Sequence, residues 1–105
     1  MRRLEQLTDR EVTILFAHAC RRGHWKEFTD VSGPEYEVLN AIKRWAYDAR
    51  VDETKTDDGW EVVLKWANEI GRCEQGEGFG KTKARAIAVA FIDIREQQRT
   101  RDEPE

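Results

Sequence analysis

The sequence predicts an α+β fold: two N-terminal helices, a three-stranded antiparallel sheet and a C-terminal helix packed on that sheet, in an αβββα-like core. Apolar residues recur at helical spacing in three segments, near residues 9–22, 34–49 and 81–98. Between the second and third segments, an Asp-Gly turn signal precedes residues that alternate between apolar and polar, as in a half-buried strand. Because a small sheet needs a covering helix to bury its apolar face, we expect the last helix to lie on it.

Size and composition limit the class of protein. The chain has 105 residues, of which 39% are hydrophobic and 37% charged, and its net charge is −3. The length predicts one compact domain, which we place over residues 1–98, and the polar sequence at the end predicts a flexible tail over 99–105. The first residues lack the apolar segment of a signal peptide, and no apolar run reaches the ~18 residues of a membrane helix. We therefore expect a cytoplasmic protein that binds no membrane.

The first helix has a clear start signal. Thr8 and Glu11 have the spacing of a capping box, in which each side chain accepts a hydrogen bond from a free backbone N–H at the helix start. An apolar stripe at helical spacing then runs from Val12 to Cys20. These signals predict a helix over about residues 9–22.

The second helix is predicted over about residues 34–49. Pro34 is typical of a first helical position, because the N–H that proline lacks would have no helical partner there. The apolar stripe that follows consists of Val38, Leu39, Ile42, Trp45, Ala46 and Ala49. In the preceding link, we expect Trp25, Phe28 and Val31 to pack onto the core.

A β-hairpin is predicted after the second helix. Asp58-Gly59 is a strong signal for a two-residue turn of the type that needs positive φ at both residues. Residues 51–56 would pair across it with the alternating segment that begins at Trp60. An alternative remains, because residues 60–70 also place several apolar side chains on one helical face.

Residues 76–91, GEGFGKTKARAIAVAF, raise the question of a phosphate-binding loop. That loop needs a glycine at position 75, where the chain has glutamine, and the dinucleotide pattern GxGxxG fails as well. We interpret these glycines as a turn between a third strand, over about 69–75, and the last helix. Gly80 or Thr82 would then lie near the helix cap.

The same stretch resembles the C-terminal end of double-stranded RNA-binding domains. Gly76 and Gly78 match the glycines of that motif, Lys81 its first lysine, and Ala84 and Arg85 the residues that follow. The resemblance implies an αβββα fold and phosphate contacts at the start of the last helix. The candidate nucleic-acid-binding residues are Lys81, Lys83 and Arg85.

The segments GWEVVLKW, GEGFGKT and ARAIAVAF also resemble small phage-encoded proteins with a βββα layout, namely the αβα-sandwich group and some anti-CRISPR proteins. This resemblance implies an inhibitor or adaptor that contacts a host protein complex, such as a nucleic-acid-guided nuclease. Acidic surfaces in such proteins can compete for a nucleic-acid channel. The candidate protein-binding residues are Asp52, Glu53, Asp57, Asp58, Glu61 and Trp25.

The sequence favours a non-enzymatic binding protein, monomeric or homodimeric, over an enzyme. His18 and Cys20 point about 200° apart on a helix, so they cannot share a metal or a catalytic role. No cysteine or histidine spacing typical of a metal site occurs, and we expect neither a metal nor a small-molecule cofactor. The acidic hairpin would repel phosphates, so a host protein complex is the preferred partner and nucleic acid the alternative.

Overall fold

A computed structural model of the chain describes residues 6–20, 29–67 and 70–102. It contains three helices and one sheet of three strands, in the order α1 (Asp9–Ala19), α2 (Glu35–Trp45), β1 (Arg50–Thr56), β2 (Gly59–Ala67), β3 (Cys73–Gly80) and α3 (Lys83–Asp102). The strands are antiparallel with order β1-β2-β3, and α3 packs on the sheet. The predicted α+β architecture is confirmed.

The N-terminal helix begins where the sequence predicts. The Thr8 side chain accepts a hydrogen bond from the Glu11 N–H at 3.2 Å, and the Glu11 carboxylate accepts one from the Thr8 N–H at 3.2 Å. This reciprocal pair is the capping box. The link after α1 is attached by Val31, which is fully buried and whose N–H donates to Thr13 Oγ1 at 3.1 Å. The predicted packing of Val31 on the core is thereby confirmed.

The second helix is shorter than predicted. Pro34 has an extended backbone and stands at the N-cap, one residue before α2 begins. The helix ends at Trp45, and Ala46–Ala49 form a tight connection in which the Ala49 N–H donates to the Ala46 carbonyl at 3.0 Å. Ala46 and Ala49 are nevertheless buried, so their apolar character reflects core packing rather than helix.

The first hairpin confirms the strand interpretation, and the helical alternative for residues 60–67 is wrong. The predicted turn position is shifted, however, because Thr56 pairs with Gly59 and the turn residues are Asp57 and Asp58. Among the described residues, only Gly59 and Gly71 have positive φ, so this turn lacks the two positive φ angles of the predicted type. Gly59 is required because an added Cβ would lie 2.4 Å from the Gly80 carbonyl oxygen.

The third strand occupies residues that the sequence assigned to a turn. It runs over Cys73–Gly80 instead of 69–75, and its burial alternates strictly, with Glu74, Gly76, Gly78 and Gly80 facing inward. An added Cβ at Gly78 would lie 2.1 Å from the Ala86 carbonyl oxygen, and one at Gly76 would lie 2.5 Å from Ile94 Cγ1. The glycines therefore let the backbone of β3 approach α3 closely, and they do not form the strand-to-helix turn.

The last helix is the centre of the molecule. It packs on β3 and β2 of the sheet, and both other helices pack on it. Every residue from Ala86 to Ile92 is buried as a result. The Phe91 ring lies 5.6–5.7 Å from the rings of Phe16, Trp45 and Trp66, which joins α1, α2 and β2 in one aromatic cluster.

The two edges of the sheet differ. At β3, the Glu77 N–H donates to Asp93 Oδ2 at 3.3 Å, and Gln97 Nε2 donates to the Gln75 carbonyl at 3.3 Å, so side chains of α3 occupy that edge. Within the described parts of the chain, no hydrogen bond reaches the outer edge of β1. In these same parts, no helix is both long enough and apolar enough to cross a membrane.

Candidate functional site

One face of the sheet is covered by α3 and the other is not. Residues directly opposite each other in an antiparallel pair share a face, so the inward Val62 and Leu64 place Gly78 and Gly76 inward as well. The uncovered side carries the alternate residues. We call it the open sheet face and define it by Asp52, Thr54, Glu61, Val63, Lys65, Gln75, Glu77 and Phe79.

Exposed carboxylates alternate with apolar side chains on the open sheet face. Glu61 lies opposite Phe79, and Val63 lies opposite Glu77, so the two apolar residues alternate with the two acidic ones. Val63 and Phe79 are half-buried, whereas Glu61 and Glu77 are exposed and form no ion pair with any residue that the structure describes. Such a surface is suited to a partner that presents basic and apolar side chains together.

The hairpin turn adds two more carboxylates at one end of this face. Asp57 and Asp58 are exposed at the tip, three positions along the hairpin from the Thr54–Glu61 pair. At the opposite end, Asp52 is neutralised by Lys65, whose Nζ lies 3.1 Å from its Oδ2. The negative potential therefore concentrates at the turn end of the open sheet face.

Glu53, a predicted protein-binding residue, lies on the other side of the sheet and pairs with a predicted nucleic-acid-binding residue. Lys83 Nζ lies 3.0 Å from Glu53 Oε2 and 3.8 Å from Glu35 Oε1. It also lies 4.5 Å from the centroid of the Trp60 ring. The hydrogen bond to Glu53, followed by the charge of Glu35, raises the pKa of Lys83 above its ordinary value.

Arg85, another of the predicted phosphate-binding residues, also forms contacts within the molecule. Its guanidinium forms an ion pair with Asp9 and donates to the Leu7 carbonyl, and its side chain is only 12% exposed. Lys81 is exposed and makes no ion pair in the described part of the chain. Thr82 Oγ1 accepts from the Arg85 N–H at 3.3 Å, which confirms the predicted cap of α3.

The residues that the sequence predicted to bind a protein therefore divide into three groups. Asp57, Asp58 and Glu61 lie together at the turn end of the open sheet face, while Asp52 and Glu53 are paired with lysines. Trp25 lies outside the described residues. Sequence reasoning missed Glu77 and Phe79, although the glycine at every second position of CEQGEGFG was a signal that these two side chains point to the same face.

The chain matches no model of a known protein family, no curated protein and no solved structure. The geometry of the site is thus the basis on which a function can be argued.

Proposed function

We propose that this protein is a non-enzymatic binding module that contacts another protein through the turn end of its open sheet face. The partner would present a basic surface with an apolar centre. We further propose the finer assignment suggested by the sequence, a phage-type or mobile-element protein that inhibits or adapts a host protein complex, such as a nucleic-acid-guided nuclease.

The observation that carries this proposal is that Glu61 and Glu77, which form no ion pair with any described residue, lie beside the half-buried Val63 and Phe79. A regular strand fixes the backbone of each of these residues, so a partner would have to order only their side chains when it binds. Charge around an apolar centre also fits the general anatomy of protein interfaces, in which a polar rim surrounds a less polar core. A basic partner would be attracted by the free carboxylates before contact.

The alternative of nucleic-acid binding has less support. Of its three candidate residues, Lys83 and Arg85 already form ion pairs with Glu53 and Asp9. Phosphate binding would have to break these pairs or leave Lys81 as the main contact, and a single lysine gives little affinity at physiological salt. The acidic turn lies at the same end of the sheet as Lys81, because Trp60 pairs with Gly80.

The proposal is tested by affinity capture from a bacterial lysate with a tagged protein, with and without nuclease treatment. Mass spectrometry identifies the partner, and purified partner is then titrated by calorimetry. Glu61→Lys reverses a charge at the proposed site, and we expect at least about a tenfold loss of affinity, equivalent to ~1.4 kcal/mol. Glu37→Lys is the matched control, because it makes the same change at an exposed position of α2.

The two functions give opposite patterns in this experiment. Protein contact predicts a stoichiometric partner that survives nuclease, is weakened by Glu61→Lys and is unaffected by Lys81→Glu. Nucleic-acid binding predicts partners that disappear with nuclease, a steep decrease of affinity with salt and a loss with Lys81→Glu. The second pattern, or equal effects of Glu61→Lys and Glu37→Lys, would overturn the proposal.

A further inference from the structure

The outer edge of β1 exposes backbone groups that are ready to pair with another strand. In the register of β1 and β2, Ala67 of β2 lies opposite Asp48, two residues before β1 begins. The Ala67 N–H donates to Asp48 Oδ2 at 3.2 Å and so points toward the β1 side. The odd-numbered residues of β2 therefore direct their backbone groups toward β1. Their partners on β1 are the even-numbered residues. By the alternation of an antiparallel ladder, the N–H and C=O groups of Val51, Glu53 and Lys55 point outward.

This edge is the accessible one of the two. Side chains of α3 bond the edge of β3, whereas the main packing of the helices is on β3, β2 and one another, away from β1. The residues of β1 from Asp52 to Lys55 are all exposed. An edge strand of seven residues that no described residue covers is a template for pairing with a further strand.

We propose that a second copy of this chain occupies the β1 edge, so that two sheets join into one six-stranded antiparallel sheet. A twofold axis relates the copies, and the β1 strands then run antiparallel, as a closed and self-complementary contact requires. Hydrogen bonds between the copies can join only Val51, Glu53 and Lys55, because only these residues point their backbone groups outward. Odd-numbered residues therefore face odd-numbered ones, and the twofold axis passes through one residue that lies opposite its own copy. The identity of that residue defines the register.

Charge selects one of the four possible central registers. An axis at Asp52, at Glu53 or at Lys55 would place each residue directly against its own copy, and like charges opposite each other are unfavourable. An axis at Thr54 avoids this and gives a Thr–Thr pair, which is favourable across strands. The selected register is thus centred on Thr54.

The register centred on Thr54 also creates two new ion pairs. It places Glu53 of each copy directly opposite Lys55 of the other, in hydrogen-bonded positions on the same face of the sheet. Within one copy, Lys83 contacts Oε2 of Glu53. The second carboxylate oxygen remains available for the lysine of the other copy, so the internal pair and the intermolecular pair are compatible.

The dimer is tested by analytical ultracentrifugation of the full chain over a range of micromolar concentrations. We expect reversible dimerisation of the wild-type protein. Lys55→Glu and Glu53→Lys should each raise the dimer dissociation constant at least about tenfold, because each places like charges opposite each other. A mixture of the two variants restores both opposite-charge pairs and should associate as a heterodimer. Circular dichroism and thermal unfolding establish that each variant is folded.

A crosslink tests the register. Thr54→Cys places two thiols on the axis in a non-hydrogen-bonded pair, where Cα atoms are about 4.5 Å apart, a separation that a disulfide can span. The background is Cys73→Ser, because Cys73 is exposed. We expect a reducible covalent dimer from Thr54→Cys and none from the control Asp52→Cys, whose residue faces position 56 of the other copy.

A wild-type protein that stays monomeric at high micromolar concentration would overturn the proposal. Lys55→Glu or Glu53→Lys forming a homodimer as tightly as the wild type would overturn it as well. Crosslinking of Asp52→Cys in preference to Thr54→Cys would overturn the register. This inference goes beyond the proposed function and is independent of it, because self-association is measured without any partner. If the protein dimerises but binds no other protein, only the proposed function fails. If it stays monomeric but binds a partner protein, only the proposed dimer fails.

Discussion

Lys83 lies between two carboxylates and an indole ring, and this arrangement decides what the start of α3 can do. Its ammonium contacts Glu53 of β1, Glu35 of α2 and Trp60 of β2, so three other elements hold one side chain. A residue with this many internal contacts contributes to the fold before it contributes to any binding surface. The same holds for Arg85, which joins α3 to the start of α1.

The pKa of Lys83 gives a test of this internal role. Its pKa is raised, with the hydrogen bond to Glu53 as the main cause. In an NMR titration of the lysine side chains, Lys83 should therefore titrate above the ordinary lysine value, and Glu53→Gln should move its pKa back toward that value. Because the raised pKa belongs to the folded state, the stabilisation is complete below about pH 10.5 and is lost as the pH rises through the folded-state pKa. A pKa of Lys83 that Glu53→Gln leaves unchanged would contradict the assigned contact.

The packing of β3 on α3 depends on the alternating glycines of that strand. At Gly78, an added Cβ would lie 2.1 Å from the carbonyl oxygen of Ala86 and 2.5 Å from the backbone nitrogen of Ala90, and neither backbone atom can move without shifting the helix. Gly78→Ala is therefore expected to lower the free energy of unfolding by roughly 1–3 kcal/mol, as overpacking of a core does. Urea denaturation followed by tryptophan fluorescence measures this change.

A matched substitution separates this clash from the general effect of replacing glycine. At Gly33, an added Cβ would meet only the Asp30 carbonyl at 3.3 Å and a Glu37 carboxylate oxygen at 3.6 Å. Gly33→Ala should accordingly change the free energy of unfolding by less than about 1 kcal/mol. Equal losses for the two variants would show that close approach to α3 is not the reason for glycine at position 78.

Local signals in the sequence predicted the elements well, and contacts between distant elements account for what was missed. The capping box of Thr8 and Glu11 and the cap at Thr82 each depend on neighbours within three residues. The glycines of β3 were taken for a turn, because their true role requires knowledge that α3 folds back onto that strand. Similarly, nothing near Lys83 in the sequence indicates that Glu53 would neutralise it.

At the scale of the whole molecule, the layers are connected at two ends. At the start of α3, Lys83 and Arg85 form ion pairs with β1 and α1, and near its end Arg101 reaches Glu74 of β3. Helical structure continues to Asp102, past the boundary at residue 98 that the sequence predicted for the compact domain. The last helical turn is thus part of the contact between helix and sheet.

The contact between Arg101 and Glu74 is expected to stabilise the attachment of α3 to the sheet. Arg101 Nη2 lies 2.7 Å from Glu74 Oε1, and the Glu74 side chain is only 3% exposed. Arg101→Met removes the cation while the carboxylate stays largely out of water, which costs more than the loss of a surface pair. Since Arg101 itself is 39% exposed, solvent screens part of the effect, and we expect a loss of about 1–3 kcal/mol in the free energy of unfolding.

Arg99 supplies the control for this measurement, because it lies in the same helical turn and pairs with Glu96 on the surface, at 3.2 Å with side chains 65% and 40% exposed. Arg99→Met should change the free energy of unfolding by less than about 0.5 kcal/mol, since exposed pairs three residues apart contribute little. Both variants remove one positive charge from one end of the helix, so their effects on net charge and on the helix dipole cancel in the comparison. If urea denaturation gave the same small loss for both, the end of α3 would be independent of the sheet, as the predicted domain boundary at residue 98 implies.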